Sequence, residues 1–206
     1  MSELKRMISE GEGVSLGFEY RIEQKKIART ITAFANTKGG KILVGVQNNG
    51  KVKGVDPQEE LYNIEKAVEL YCKPPVEFVT TITQENHHLV LEVNIEPSKS
   101  KHKAKDEAGN WKYYHRVNNQ TLLENKVLFR LWHYQIVKTR KPDNYTEEVT
   151  QLIKLIDIGQ PITISKIYRL SDFDKNEVND LLARLIFWGV IEMQATDSGL
   201  EYVIAE

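Results

Sequence analysis

The order of apolar and polar positions in the first half of the chain predicts strands interleaved with helices. Short apolar or alternating runs have strand length, and apolar residues that recur every three or four positions predict helices. The predicted strands are Val14–Tyr20, Lys41–Gln47, Val52–Val55, Val76–Thr83 and His88–Ile95, and the predicted helices are Glu23–Thr37 and Pro57–Cys72. Gly39 and Gly40 end the first helix, because glycine adopts the positive φ of a helix C-terminus. Asn49 and Gly50 predict a tight turn.

The second half of the chain changes in character after Pro97. Ser98–Lys105 contains four lysines and one small apolar residue, which predicts an exposed basic loop. A strand is predicted at Trp111–Val117 and a helix at Leu122–Val137. The later segments follow the order of a winged helix: helices at Thr146–Ile158, Thr163–Leu170 and Asp174–Phe187, then strands at Val190–Gln194 and Leu200–Ile204 joined by Thr196–Gly199.

These elements predict an α+β fold, with a mixed β-sheet domain and packed helices followed by a small winged-helix domain. We place the first domain at residues 1–137 and the second at residues 145–206. Residues 138–144 are charged and contain a proline, as is typical of a linker. The length of 206 residues suits one large and one small domain.

Composition excludes several classes of protein. No run approaches the roughly 18 apolar residues of a membrane span, and the first residues lack the apolar core of a signal peptide, so we expect a cytoplasmic protein without membrane contact. Cys72 is the single cysteine, which excludes an internal disulfide and a zinc site built on paired thiolates. The five histidines are scattered. We therefore expect no metal and no cofactor.

The small net charge of −1 hides an asymmetry between the two halves. Residues 145–206 carry five basic and eleven acidic side chains, a net of −6, and the remainder carries +5. The first part therefore suits a polyanion, which the second part would repel. The helix at Asp174–Phe187 has three acidic residues if Asp174 is included, against two basic ones. We expect it to contact a protein partner or a second copy in a homodimer rather than a DNA groove.

A glycine-containing segment could hold a phosphate. It consists of Asn36, Thr37, Lys38, Gly39 and Gly40, in which exposed N–H groups, glycine and a lysine are the usual ingredients. Capping of the preceding helix is the better explanation of the segment, because the C-terminal end of a helix disfavours anions. The Walker A pattern is absent, so ATP hydrolysis is not expected.

A basic segment and an aromatic strand are the candidate nucleic-acid contacts. Lysines suit backbone phosphates, and aromatic rings suit unstacked bases. The candidates are Lys99, Lys101, Lys103, Lys105 and Arg116, with Trp111, Tyr113 and Tyr114 as the rings. A solvated loop and an ordinary strand would give much the same sequence. Arg116 could instead support the glycine-rich turn through hydrogen bonds.

The ordered series from Ile31 to Gly54 resembles the AlbA-like domain of Schlafen proteins and of bacterial transcriptional regulators. It reads ITAFANTKGG, then ILVGV, then GKVKG. Trp111–Val117 looks like the later aromatic strand with its arginine. The resemblance covers residues 4–136 and implies nucleic-acid binding; some family members cut RNA, and bacterial members are often described as ATP-binding. A C-terminal winged helix beside this domain is a familiar bacterial arrangement.

The resemblance also implies where a nuclease site would lie. The nuclease members use three carboxylates, whose positions fall here on Glu12, on Gly17 and on Gln47–Asn49. One carboxylate with neutral partners is a poor magnesium site, because Mg²⁺ needs anionic oxygen ligands. Glu19 lies two positions from Gly17, on the same face of a strand, and could supply the missing charge. Glu12 and Glu19 are therefore the candidate catalytic residues of an activity that we do not expect.

The sequence thus predicts a nucleic-acid-binding protein, with DNA as the expected ligand, that regulates transcription without catalysis. One alternative is a protein-interaction module that retains a degenerate AlbA-like domain. The other is a metal-dependent RNase or an ATP-binding protein.

Overall fold

A computed structural model describes residues 2–138, 140–196 and 199–205. Thr139 of the expected linker, and Asp197 and Ser198 of the expected turn between the last two strands, lie outside these residues. The chain divides into two units, Met1–Glu124 and Asn125–Glu206.

The N-terminal unit has three helices and eight strands among its described residues. They are α1 (Glu3–Glu10), β1 (Leu16–Glu19), α2 (Gln24–Ala35), β2 (Gly40–Val44), α3 (Pro57–Tyr71), β3 (Cys72–Lys73), β4 (Val79–Glu85), β5 (His88–Ile95), β6 (Lys103–Lys105), β7 (Trp111–Val117) and β8 (Gln120–Leu123). The mixture of helix and strand confirms the α+β class.

Two four-stranded sheets organise this unit. The first has the order β1-β2-β5-β4, with β1 parallel to β2 and the other pairs antiparallel. The second has the order β3-β6-β7-β8 and is antiparallel. A core that includes Phe18, Leu43 and Val90 also takes in Leu4 and Met7 of α1, so α1 covers one face of the first sheet. Helix α1 was not predicted from the sequence.

Helix α2 is the centre of the main core. Every residue from Thr30 to Asn36 is buried, and Ile31 and Phe34 share one apolar cluster with Ile42 of the first sheet and Ala104 of the second. A surface helix would leave one face polar. The second half of α2 is instead enclosed by both sheets, while Lys25, Lys26 and Arg29 of its first half stay at the surface.

The side chain of Asn36 joins the end of α2 to the second sheet. Its Nδ2 donates to the carbonyl oxygens of His102 at 2.8 Å and Tyr114 at 3.0 Å, and its Oδ1 accepts from the His102 N–H at 2.8 Å. Thr37 Oγ1 donates to Ala33 O and accepts from the Arg116 N–H at 3.0 Å. Buried backbone groups need such partners, so these bonds fix β6 and β7 against the helix.

The prediction of an exposed loop at Ser98–Lys105 is wrong for the second half of that segment. Lys103–Lys105 form β6, which pairs with β3 and β7, and His102 and Ala104 are buried. Alternate residues of a strand point to opposite faces, so the lysines lie on one face and the small residue on the other. The charge of the lysines therefore led to the prediction of a loop, although a three-residue strand needs only one inward-facing residue, here Ala104.

Two other predicted elements also differ. The helix expected at Leu122–Val137 begins only at Lys126, because Asn125 caps it by accepting from the Leu128 N–H at 2.9 Å. Residues 120–123 form β8 instead. The return strand expected at Val52–Val55 is reduced to one bridge between Val46 and Val52.

The C-terminal unit contains four helices and one sheet among its described residues. The elements are α4 (Lys126–Val137), α5 (Glu147–Gly159), β9 (Ile162–Thr163), α6 (Ile164–Leu170), α7 (Lys175–Phe187), β10 (Ile191–Thr196) and β11 (Gly199–Ile204), with strand order β10-β11-β9. Tyr134 of α4 donates to Asp180 of α7 at 2.6 Å. This packing groups α4 with the C-terminal unit, whereas the sequence analysis assigned it to residues 1–137; those domain limits stay predictions. No helix in the described residues is long and apolar enough to span a membrane.

Replacing Asn36 with alanine should strongly destabilise the N-terminal unit. The change leaves a buried N–H of His102 and the carbonyls of His102 and Tyr114 without partners, and each such group costs roughly 1–3 kcal/mol. We expect the free energy of unfolding to fall by about 3 kcal/mol, measured by hydrogen exchange of the amides in β2 and β5. Asn48 is exposed, and Asn48→Ala should cost less than about 0.5 kcal/mol. Equal losses in the two variants would contradict the proposed role of Asn36.

Candidate functional site

Lysines and aromatic rings share one face of the second sheet. Lys73 of β3 is opposite Lys103 of β6, Lys103 is opposite Tyr113 of β7, and Lys105 is opposite Trp111. Directly opposed residues of antiparallel strands point to the same side. We call the set Lys73, Lys103, Lys105, Trp111 and Tyr113, together with Tyr71 at the end of α3, the lysine–aromatic face.

The ammonium groups of this face lie over the rings. Lys105 Nζ is 5.1 Å from the ring centroid of Trp111 and 5.6 Å from that of Tyr71. Lys103 Nζ is 5.0 Å from the Tyr113 centroid, and Lys73 Nζ is 5.9 Å from the Trp111 centroid. These are cation–π distances, and such contacts are weak where the ring is exposed to water. Trp111 keeps 37% of its surface exposed.

The positive charges of this face are not compensated. Among the described residues, no carboxylate forms an ion pair with Lys73, Lys103 or Lys105. Some lysines elsewhere in the unit are paired with carboxylates: Lys26 pairs with Glu19 at 2.7 Å, and Lys5, Lys41 and Lys66 are paired in the same way. Lys51 and Lys53 are exposed and have no ion pair among the described residues, so what distinguishes this face is that its lysines lie beside aromatic rings. The face therefore presents three ammonium groups beside an accessible indole ring.

Lys101 lies on the same side of the sheet, with its Nζ 4.9 Å from the Tyr113 ring centroid, but its charge is compensated. Its side chain is buried and pairs with Glu124, which is also 2.8 Å from His115 Nε2. Burial lowers the pKa of Lys101 and of His115. Burial alone would raise the pKa of Glu124, but hydrogen bonds from His115 and Lys101 bring that pKa below its ordinary value. Lys101 is thus part of a buried polar group, and Lys99 lies in the exposed loop before it.

Arg116 lies on the opposite side of the same sheet and is nearly buried. Its Nη2 donates to the Gly13 carbonyl at 2.8 Å, and its guanidinium carbon is 4.8 Å from the centroid of the Phe34 ring. Its Nη1 is 3.4 Å from Thr121 Oγ1, and its Nε has no hydrogen-bond partner. Arg116 therefore supports the fold, because its guanidinium group binds the segment that precedes β1.

A cleft of about 520 Å³ opens beside Arg116. Gly17 lines this cleft. The charged and amide-bearing lining residues of the cleft are Glu12, Glu19, Lys26, Arg29, Asn48, Arg116, Asn119 and Gln120. The cleft thus collects the three segments onto which the carboxylates of the nuclease members map. A Cβ atom at position 17 would lie 3.9 Å from Glu12 Oε1.

Both carboxylates of the cleft already have partners. Glu12 Oε1 accepts from the Phe18 N–H at 2.9 Å, and Glu19 Oε2 is bound to Lys26 Nζ. Burial raises the pKa of Glu19, while the hydrogen bond and the charge of Lys26 oppose that rise. Within residues 2–138, 140–196 and 199–205, no group of three or more acidic, histidine or cysteine side chains could hold a metal ion.

The glycine-containing segment closes α2 and leaves few donors for a phosphate. The N–H groups of Asn36, Thr37 and Gly39 all donate to carbonyl oxygens of the last turn of α2. Gly39 has φ +69°, and a Cβ there would lie 2.6 Å from Ile95 O. A Cβ at Gly40 would lie 2.5 Å from Ser15 O. Asn36 is fully buried, so we assign it to the fold and remove it from the candidate phosphate ligands; Lys38 remains exposed.

Sequence reasoning missed Tyr71 and Lys73. Tyr71 ends α3, and Lys73 is the second residue of the two-residue strand β3, about thirty positions before Lys103. Pairing of β3 with β6 brings them to the same face. The one signal available in the sequence was an aromatic and a lysine two positions apart in front of a proline pair.

Comparisons with known proteins give one family and two distant structures. A sequence model of the family described as Schlafen, AlbA_2 matches residues 14–124, more than half of the chain. The DIP2311 protein from Corynebacterium diphtheriae is similar over 97% of this chain, at 13% identity and a TM-score of 0.46, and the chain spans 37% of that protein. The N-terminal domain of a RecG-related protein from Nitrosomonas europaea is similar over 71% of this chain and 96% of its own, at 14% identity and a TM-score of 0.39. No curated protein matches the sequence.

Lys26 should control the protonation of Glu19. We expect Lys26→Gln to raise the pKa of Glu19 further, because it removes the hydrogen bond and the charge that oppose burial. An NMR titration of the Glu19 carboxyl carbon measures this pKa. Lys25→Gln is the control, since Lys25 pairs with Glu107. An unchanged or lower pKa in Lys26→Gln would refute the assignment.

The same shift predicts the sign of one pH effect on stability. Between the unfolded value of 4.5 and the raised folded pKa of Glu19, the folded chain binds more protons than the unfolded chain. The contribution of Glu19 to the free energy of unfolding is therefore fully present below pH 4.5, and it is lost as the pH rises through the pKa of Glu19 in the folded chain.

Proposed function

The chain belongs to the Schlafen, AlbA_2 family, and from this membership and its lysine–aromatic face we propose that it is a nucleic-acid-binding protein that acts without catalysis. We propose DNA as its ligand and regulation of transcription as its role. The N-terminal unit supplies the nucleic-acid contacts.

The observation that carries this proposal is the set of three ammonium groups without ion pairs beside the exposed indole of Trp111 and the half-buried ring of Tyr113. Lysines bind nucleic acid by replacing the counterions condensed on its phosphates. Rings add contacts to the bases, which lysines alone do not make. A lysine that only improved solubility would have no need of a shared face with Trp111 and Tyr113.

We propose a different role for the C-terminal unit, as a winged-helix module that contacts a protein partner or a second copy of the chain. Residues 145–206 carry a net charge of −6. Asp180 of α7 is bound to Arg184 at 2.6 Å, which uses one of the two cations of that helix. A helix that reads a DNA groove needs a surplus of cations on its exposed side. This chemistry favours contact with protein.

Metal-dependent cleavage fits the cleft poorly. A divalent cation in a nuclease needs several carboxylate oxygens together. The cleft offers Glu12, which holds the Phe18 N–H, and Glu19, which is neutralised by Lys26. Asn48 contributes an amide in place of a third acid. These donors do not suit a hard cation, so we derive no hydrolytic step.

Binding should depend on salt and on the lysines of β6. We expect Lys103→Gln/Lys105→Gln to weaken binding about ten-fold at 50 mM salt and to flatten its salt dependence, because about 0.7–0.9 counterions are released for each phosphate contact. Fluorescence anisotropy with labelled DNA at about 50 and 200 mM salt gives the measurement. The control is Lys51→Gln/Lys53→Gln, which removes two exposed lysines of the same unit. If DNA and RNA both fail to bind at the lower salt, the protein-interaction alternative replaces this proposal.

The chain should not cleave nucleic acid. We expect no Mg²⁺- or Mn²⁺-dependent turnover of RNA or DNA, because the acidic donors of the cleft are already bound within the protein. The assay follows a labelled oligonucleotide on denaturing gels. Metal-dependent cleavage that disappears in Glu12→Gln would establish the nuclease alternative instead.

A further inference from the structure

Resting on the proposed function, we propose that the lysine–aromatic face takes single-stranded nucleic acid. One base stacks on Trp111, the next lies against Tyr113, and the phosphates meet Lys73, Lys103 and Lys105. Lys73 and Tyr71 are thereby assigned to a binding site, whose ligand is a single strand and not a duplex.

The shape of the face disfavours a duplex. Reading of duplex DNA places a protruding helix or a two-stranded ribbon in the major groove. Strand β3 pairs with β6 at Lys103 and Ala104, and β8 pairs with β7 from Tyr114 onward, so β6 and β7 are the inner strands of a sheet. Only the end of their hairpin, with Lys105 opposite Trp111, extends beyond the neighbouring strands. The turn between them carries Asp106 and Glu107, whose charge would oppose entry into a groove. A flat face suits a strand that lies across it.

The spacing of the rings suits adjacent unstacked bases. Trp111 and Tyr113 are two positions apart on β7 and on the same face, so about 6.8 Å separates them along the strand. This is comparable with the distance between neighbouring bases of an extended single strand. Paired bases in a duplex keep their faces against each other and cannot meet either ring.

The lysines can move from the rings to a ligand. In the structure Lys73 and Lys105 lie over Trp111, and neither has an acidic partner among the described residues. Cation–π contacts at exposed rings are weak, so the long side chains can swing to phosphates and leave the indole face to a base. The movement also relieves repulsion among three ammonium groups on neighbouring strands.

Tyr62 provides a matched control. It is 59% exposed, and Lys66 Nζ is 5.9 Å from its ring centroid, the same distance as that of Lys73 from Trp111. Lys66, however, is paired with Glu69 at 2.8 Å. Tyr62 and Lys66 therefore reproduce the ring and the cation of the proposed site without its uncompensated charge.

The test compares one labelled oligonucleotide of about 20 nucleotides, single-stranded and as a duplex, by fluorescence anisotropy with the full chain. We expect tighter binding of the single strand. Trp111→Ala should weaken it about ten-fold without changing the slope of log K against log salt, and Trp111→Tyr should retain most of the affinity. Lys73→Gln should reduce that slope, and Tyr62→Ala should change nothing. Circular dichroism and the urea midpoint establish that each variant is folded.

The outcomes separate this inference from the function on which it rests. Equal or tighter binding of the duplex, or no effect of Trp111→Ala in a folded variant, overturns the single-strand assignment while salt-dependent binding keeps the proposed function. Absence of binding to either form at low salt overturns both. An equal loss of affinity in Tyr62→Ala and Trp111→Ala also overturns the assignment, because it would mean that an aromatic ring outside the lysine–aromatic face contributes as much to binding as one within it.

Discussion

The enclosure of α2 by two sheets is the constraint on which the rest of the N-terminal unit depends, and the amide of Asn36 sets its geometry. That amide is fully buried, so its hydrogen bonds have no competition from water and their loss leaves polar groups unpaired. They fix His102 and Tyr114, and through them β6 and β7, against the end of the helix. Alternation along these strands then places Ala104 inward and the lysines outward. The lysine–aromatic face is thus a consequence of how the core is closed.

The two polar regions of this unit, the cleft and the lysine–aromatic face, differ in whether their charged side chains have charged partners. In the cleft, Glu19 and Lys26 are paired, and Glu12 holds a backbone N–H. On the lysine–aromatic face, the ammonium groups meet rings instead of carboxylates. A chain with a net charge of −1 can therefore present a polyanion site. The cleft contains the segments onto which the resemblance maps a nuclease site, but its two carboxylates are bound within the protein.

Sequence reasoning succeeded where a segment carries its own periodicity. The helix at Pro57–Tyr71 and the strand at Trp111–Val117 were predicted within one residue, because apolar spacing and β-branched or aromatic composition suffice for them. It failed where pairing between distant strands determines the structure. The sequence of β6 resembles a loop because its lysines face water. The sequence of β8 resembles part of a helix because Leu122 and Leu123 lie shortly before the apolar residues of α4. Of the lysines on the lysine–aromatic face, Lys103 and Lys105 were already candidates from the sequence, whereas the position of Lys73 depends on a strand pairing that no local pattern reveals.

The most direct measurement of the central claim is a map of where a single-stranded oligonucleotide touches the protein. Amide and indole ¹H–¹⁵N shifts recorded during a titration report each residue separately. The account predicts that changes concentrate on Lys73, Lys103–Lys105 and Trp111–Tyr113, including the indole N–H of Trp111. Changes confined to the cleft around Glu12 and Arg116, or to the C-terminal unit, would contradict it.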